Sequence, residues 1–202
     1  MDGGYGAYYS RNGLDGTVDK MVLIEEMGRK FGHDRRLQEF ILRKFKKVGS
    51  AADAQVGAIV KWLESLPYRR EPAEILRSPI STGVEGNGGD CDDFVVLAIA
   101  TATALGLPSK AQVVADSHGN GFHIRALVGL PPLRPSLWVV VDPVYRSEPQ
   151  WAMAKRDLSS VLAEFPTVPA QALHGTVSTL SPPTTPWLMY AGALGILLWM
   201  TR

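Results

Sequence analysis

The stretch Gly88-Gly89-Asp90-Cys91-Asp92-Asp93-Phe94 constrains this chain more than any other. Two glycines precede the only cysteine of the protein. An apolar run follows from Phe94 to Leu105, before Gly106 and Pro108 stop it. That pattern predicts a buried helix over 91–105 with Asp90 as its N-cap. Cys91 then sits in the first turn, where unpaired backbone N–H groups and the helix dipole favour a thiolate. A lone cysteine is more commonly an inert buried thiol. Here it stands among three aspartates, which need water or partners and fit poorly in a plain core. Asp92 and Asp93 stabilise the helix start but oppose a thiolate, so a cationic histidine nearby is expected to offset them.

A single cysteine excludes an internal disulfide framework and a zinc site of several thiolates. Of 202 residues, 46% are apolar, enough for a core, and the net charge of +1 gives no electrostatic case for nucleic acid. Met1-Asp2-Gly3-Gly4-Tyr5 has neither a basic nor an apolar leader region, so no signal peptide is expected. Nothing in the sequence sets the oligomeric state.

Residues 1–15, rich in Gly and Tyr, read as a flexible arm, and 16–164 as the main domain with a helical N-terminal part. Val18, Met21, Val22, Ile24 and Met27 predict a helix over 17–31. Leu37, Phe40, Ile41 and Phe45 predict a second over 34–47, and Val56, Ile59, Val60 and Leu63 a third over 51–66. The basic residues outside the second helix read as a solvated face rather than a phosphate or membrane patch. A Pro- and Gly-rich loop over 67–90 delivers the chain to Cys91. Beyond Pro108 the period becomes two. Strands are predicted over 110–115, 122–128 and 137–141, with a turn at 116–121 and a loop at 129–136. A further helix is predicted over 151–163.

Of four histidines, His33 falls in a helix-connecting turn, His118 in the hairpin turn and His174 in a Pro-rich segment; His123 opens a strand. Pairing Val128 with Leu137 across the loop puts His123 opposite Asp142, roughly 5 Å apart at Cβ. Nucleophile, proton carrier and orienting carboxylate then fall to Cys91, His123 and Asp142. The Cys91 backbone N–H and Asn87 are the oxyanion-hole candidates. Asp90, Asp92 and Asp93 with a histidine would suit a hard cation. Capping accounts for Asp90 more simply and no EF-hand loop is present, so neither metal nor cofactor is expected.

Gly89-Asp90-Cys91-Asp92-Asp93, the helix ending Ala104-Leu105-Gly106-Leu107-Pro108, the strand with His123, and Trp138-Val139-Val140-Val141-Asp142-Pro143 together resemble the transglutaminase-like superfamily. The nearest pattern is that of bacterial and phage members with a GDCDD box, over roughly residues 50–145. The resemblance implies an α+β, papain-like fold, with N-terminal helices and a Cys-bearing helix packed on an antiparallel sheet. It also implies Cys91, His123 and Asp142 as the triad. Arg125 departs from the family, many of whose members carry an aromatic two residues after the histidine.

Residues 165–186 shift to Pro, Thr and Ser, a linker composition, and 187–200 form an uncharged apolar run with Trp187, Tyr190 and Trp199 near its ends. As a helix this run spans about 21 Å, short of a hydrocarbon core of roughly 30 Å. It reads as a C-terminal hydrophobic helix over 187–202 that anchors the chain to a membrane, of a phage virion or bacterial envelope. The alternative is a helix packed on a soluble, cytoplasmic domain. The expected function is a cysteine peptidase or amidase acting on a protein or peptide substrate. The alternatives are a protein-crosslinking transglutaminase, or a non-catalytic, membrane-anchored structural module.

Overall fold

In the computed structural model the described residues are 14–69, 75–115, 122–144 and 161–164. Among the described residues four α-helices precede the strands: α1 (Leu14–Gly32), α2 (Arg35–Phe45), α3 (Ala52–Glu64) and α4 (Cys91–Ala104), with a π-helical turn over Ile80–Val84 before α4. Each starts or packs for a local reason. Asp34 caps α2 by accepting the Leu37 N–H at 3.0 Å, and Leu37, Ile41 and Phe45 are buried one turn apart. Val56, Ile59, Trp62 and Leu63 give α3 its inner face. The basic face of α2 is solvated as expected: Arg35 pairs with Glu39, and Arg36 reaches Glu85. α1 begins at Leu14, so Leu14 and Asp15 belong to the helix rather than to the arm.

α4 is buried on every side from Asp92 to Ala102. From Phe94 to Ala102 its residues are apolar all round except Thr101, whose hydroxyl donates to Leu97 O at 2.7 Å, as a helix enclosed by other elements requires. α1 approaches it closely because Gly28 and Gly32 face Ile99 and Thr103, where a Cβ would stand within 2.8 Å of either side chain. The sheet covers another side. Strands β1 (Ser109–Ala115), β2 (Phe122–Leu130), β3 (Leu137–Val141) and β4 (Val161–Glu164) form one antiparallel sheet in the order β3-β2-β1-β4. Ala111, Val113, Ile124, Ala126, Val128 and Val141 join the same core as α4. This is the expected α+β arrangement of helices on an antiparallel sheet.

Two expectations are corrected. Residues 161–164 form a strand, not the end of a helix, because β1 would otherwise present an unpaired edge. The β2–β3 register is also shifted by two: Leu130 pairs with Leu137, Val128 with Val139 and Ala126 with Val141. Gly129 was expected to begin the loop, yet it stays in the strand. Its lack of a side chain leaves room for Pro135 and Trp138, and its N–H bonds Pro108 O at 2.9 Å. The loop is therefore 131–136.

The predicted turn at 116–121, the helix over 151–160, the linker 165–186 and the apolar run 187–200 lie outside the described residues, as does most of the arm. Among the described residues no helix is long and apolar enough to cross a membrane.

Candidate active site

The N-terminus of α4 is a capping box. The Asp90 carboxylate accepts the Asp92 N–H at 3.2 Å and also takes the Asp93 N–H, while Asp93 Oδ2 accepts the Asp90 N–H at 3.3 Å. Asp93 is fully buried, and its other oxygen accepts the Arg77 N–H at 2.6 Å. Burial raises its carboxyl to about 6; the charge of Asp90 adds to the rise, and the Arg77 and Asp90 N–H groups and the Arg77 charge oppose it. These bonds tie the segment before the helix to the turn that carries the thiol. The approach is tight. Gly88 has φ +70° and lies so close to Pro67 that a Cβ would collide with its carbonyl oxygen, and a Cβ on Gly89 would meet Asp93 Oδ2 at 2.3 Å.

Cys91 is half-buried, and its backbone N–H is the first of the helix, with no intrahelical acceptor. His123 is buried, and its Nε2 lies 2.5 Å from Asp142 Oδ2. Burial by itself lowers the imidazole, but the hydrogen bonds to Asp142 and Cys91, with their charges, prevail and raise it to about 10. Asp142 is anchored in turn by the Val144 N–H, at 2.9 Å from Oδ1. The structure thus brings Cys91, His123 and Asp142 together, though not by the predicted pairing. One step past the last pair, Asp142 falls beside Arg125, so His123 meets it on the diagonal. A shift of two residues keeps the phase of alternation, which is why the two side chains still meet.

Asn87 is not free for an oxyanion. It is exposed, and its amide nitrogen donates to Ser81 Oγ at 3.1 Å and Glu85 Oε2 at 3.3 Å. Arg125 is buried and donates from Nε to Gln112 Oε1 at 2.8 Å, so it is built into the sheet. His33 lies in the α1–α2 turn; His118 and His174 lie outside the described residues. A cleft of about 600 Å³, lined by Leu66, Pro67, Tyr68, Pro143 and Val144 with Glu64 and Ser65, opens immediately after Asp142 in the chain. The Tyr68 ring stacks on Phe94, and its backbone bridges Gly89.

One residue of this region was not singled out from the sequence. Lys20 of α1 is buried and ion-paired with Asp92, whose Oδ1 lies 3.5 Å from Cys91 Sγ. The signal was present: Lys20 stands four and seven residues before Ile24 and Met27, in phase with a buried apolar stripe. Asp90, Cys91 and Asp92 also offer donor atoms within 4.8 Å of one another. They do not fit a divalent cation, because an ammonium is seated on Asp92 and the Asp90 carboxylate caps the helix.

No protein-family model matches the sequence, and no curated protein matches it. Solved structures do. A candidate cysteine protease from Cytophaga hutchinsonii aligns over 68% of this chain with 21% identity and a TM-score of 0.48; the chain spans only 43% of that protein's length. Calcium-bound LapG from Legionella pneumophila, a transglutaminase-like cysteine protease, aligns over 85% of this chain and 98% of its own, with 20% identity and a TM-score of 0.52. EGTA-treated LapG aligns over 72% of this chain and 81% of its own, at 20% and 0.51. The chain has the transglutaminase-like form of the papain-like fold.

Proposed function

We propose that this protein, with its transglutaminase-like fold, cleaves amide bonds in a protein or peptide substrate through an acyl-enzyme on Cys91. The observation that carries the reading is His123, held by Asp142 at 2.5 Å and raised by Asp142 and Cys91 at once. An imidazole held above its ordinary value stays protonated beside a thiolate, an ion pair ready for attack. The thiolate sulfur adds to the carbonyl carbon, and the oxyanion meets the Cys91 N–H. His123 gives its proton to the leaving amine as the C–N bond breaks. It then takes a proton from water as water attacks the thioester, and the C–S bond breaks to release the thiolate beside the imidazolium, restoring the ion pair. Asp142 holds the ring and its charge throughout. Structural likeness to LapG supports a protease-like chemistry.

The test is the rate of Cys91 alkylation between about pH 4 and about pH 9, for the full chain and for His123→Ala. The expected result is a thiol reactive well below its free value of roughly 8.5, with that low-pH reactivity lost in the variant. An ordinary profile, the same in both proteins, would overturn the reading. Where the ion pair is found, release of new termini from a peptide library separates hydrolysis from transfer to an added amine.

A further inference from the structure

We propose that Lys20 is a positioning residue for Cys91: its ammonium is a built-in cation that cancels the charge of Asp92 beside the nucleophile. The inference rests on the thiolate reading above and extends it to a different element. Asp92 is forced close to the sulfur by the helix itself, being the next residue in the first turn, and its Oδ1 stands 3.5 Å from Sγ. A bare carboxylate there would repel the thiolate that His123 is placed to stabilise. Lys20 reaches across from α1 to Oδ2 of the same carboxylate, and both side chains are less than one-tenth exposed. The pair is therefore shielded from water, where an opposite charge acts most strongly.

The other charged groups around the thiol leave the same gap. On its own helix Asp90, Asp92 and Asp93 all carry or approach negative charge. Arg77, on the segment before the helix, is turned to Asp93 at 3.6 Å. His123 faces the sulfur from the sheet with Asp142 behind it. Without Lys20 the site would pair one imidazolium against a thiolate and three carboxylates, Asp90, Asp92 and Asp142. Close packing of α1 on α4 through Gly28 and Gly32 brings a lysine from a distant part of the sequence to this point.

Four full-length variants decide the matter: Lys20→Met, Lys20→Arg, Asp92→Asn and the Lys20→Met/Asp92→Asn double. Each is checked for folding by circular dichroism and alkylated across the same pH range. Lys20→Met is expected to slow alkylation by about tenfold near pH 6 while leaving the rate near pH 9 unchanged, as for a thiolate that has lost one favourable charge. Lys20→Arg should keep the wild-type profile, and the double variant should return to it. A Lys20→Met profile that superimposes on the wild type would overturn the proposal. So would a slowing equal at all pH values, or one that Asp92→Asn does not reverse, since either marks a merely structural lysine. Should Lys20→Met not fold, Asp92→Asn alone decides. It leaves the ammonium uncancelled and should move the profile to lower pH; a move upward would overturn the proposal. The His123→Ala profile keeps the two ideas separate. If the wild type has no His123-dependent reactivity the ion-pair reading itself is lost, whereas an intact ion pair indifferent to Lys20 sinks only this inference.

Discussion

His123 carries two demands that pull its proton affinity in opposite directions. Burial disfavours the imidazolium, while the Asp142 and Cys91 hydrogen bonds favour it and prevail, to about 10. A group raised in the folded state from 6.5 contributes stability fully present below about 6.5, lost as pH rises through about 10. Asp142→Asn removes much of that rise. Urea unfolding should therefore show the wild type more stable than Asp142→Asn at pH 6, with the gap narrowing between pH 7 and pH 10. A gap that is flat or widens with pH would mean that the pair is not charged in the folded protein. The same substitution should cut amide hydrolysis by about 10²–10⁴-fold, since the ring loses its orienting charge. At this scale Cys91 was legible because glycines, an acidic cap and an apolar run meet at one cysteine. His123 and Asp142 were legible from the strand start and the Asp-Pro stop. Lys20 was not, because an ion pair between helices leaves no local pattern beyond a charge in an apolar phase. Asn87 was proposed on proximity in sequence, which said nothing of its bonds to Ser81 and Glu85.

Elements were legible where a single chemical rule governs them. The apolar stripes of α2 and α3 and the cap of α4 follow from spacing and from the oxygen of Asp34 or Asp90. The β2–β3 register was not, because it depended on whether Gly129 continues a strand or starts a loop. That choice is made by Pro135 and Trp138, which need the space a side chain would fill. β4 was missed because its place is set by the free edge of β1, not by its own four residues. The start of α4 yields its own prediction. Asp93→Ala removes the acceptor of the Arg77 and Asp90 N–H groups and should cost about 1–2 kcal/mol in thermal or urea unfolding at neutral pH. The folded carboxyl is raised from 3.8 to about 6, so its protonation adds stability that is whole below 3.8 and lost as pH rises through 6. The deficit of the variant should therefore be larger near pH 4 than near pH 7. A deficit that grows from pH 4 to pH 7 would mean that the bonds to the ionised carboxylate outweigh its burial.

Across the whole described unit, one helix does two jobs. α4 is packed by α1 and the sheet, with α2 and α3 completing its surroundings, and the same helix presents the thiol at its first residue. Core and site are therefore joined end to end: the middle of α4 sets how firmly the unit holds, and its N-terminus sets what it does. Leu97 is fully buried mid-helix and faces Gly83 of the π-helical turn over Ile80–Val84. Truncation there leaves a cavity at the meeting of several elements, so Leu97→Ala should lower stability by about 2–5 kcal/mol. Because the surrounding elements share this one core, loss should be cooperative. Far-UV circular dichroism and the fluorescence of a variant that keeps Trp62 as its only tryptophan should change in one coincident urea transition. Below that transition the alkylation profile of Cys91 should match the wild type, since the cap, His123 and Lys20 do not depend on the Leu97 side chain for their bonds. Transitions that separate, with α4 failing before the sheet, would show that the helix is an independent unit. The packing of α1 that brings Lys20 to Asp92 would then have to be maintained by something other than the common core.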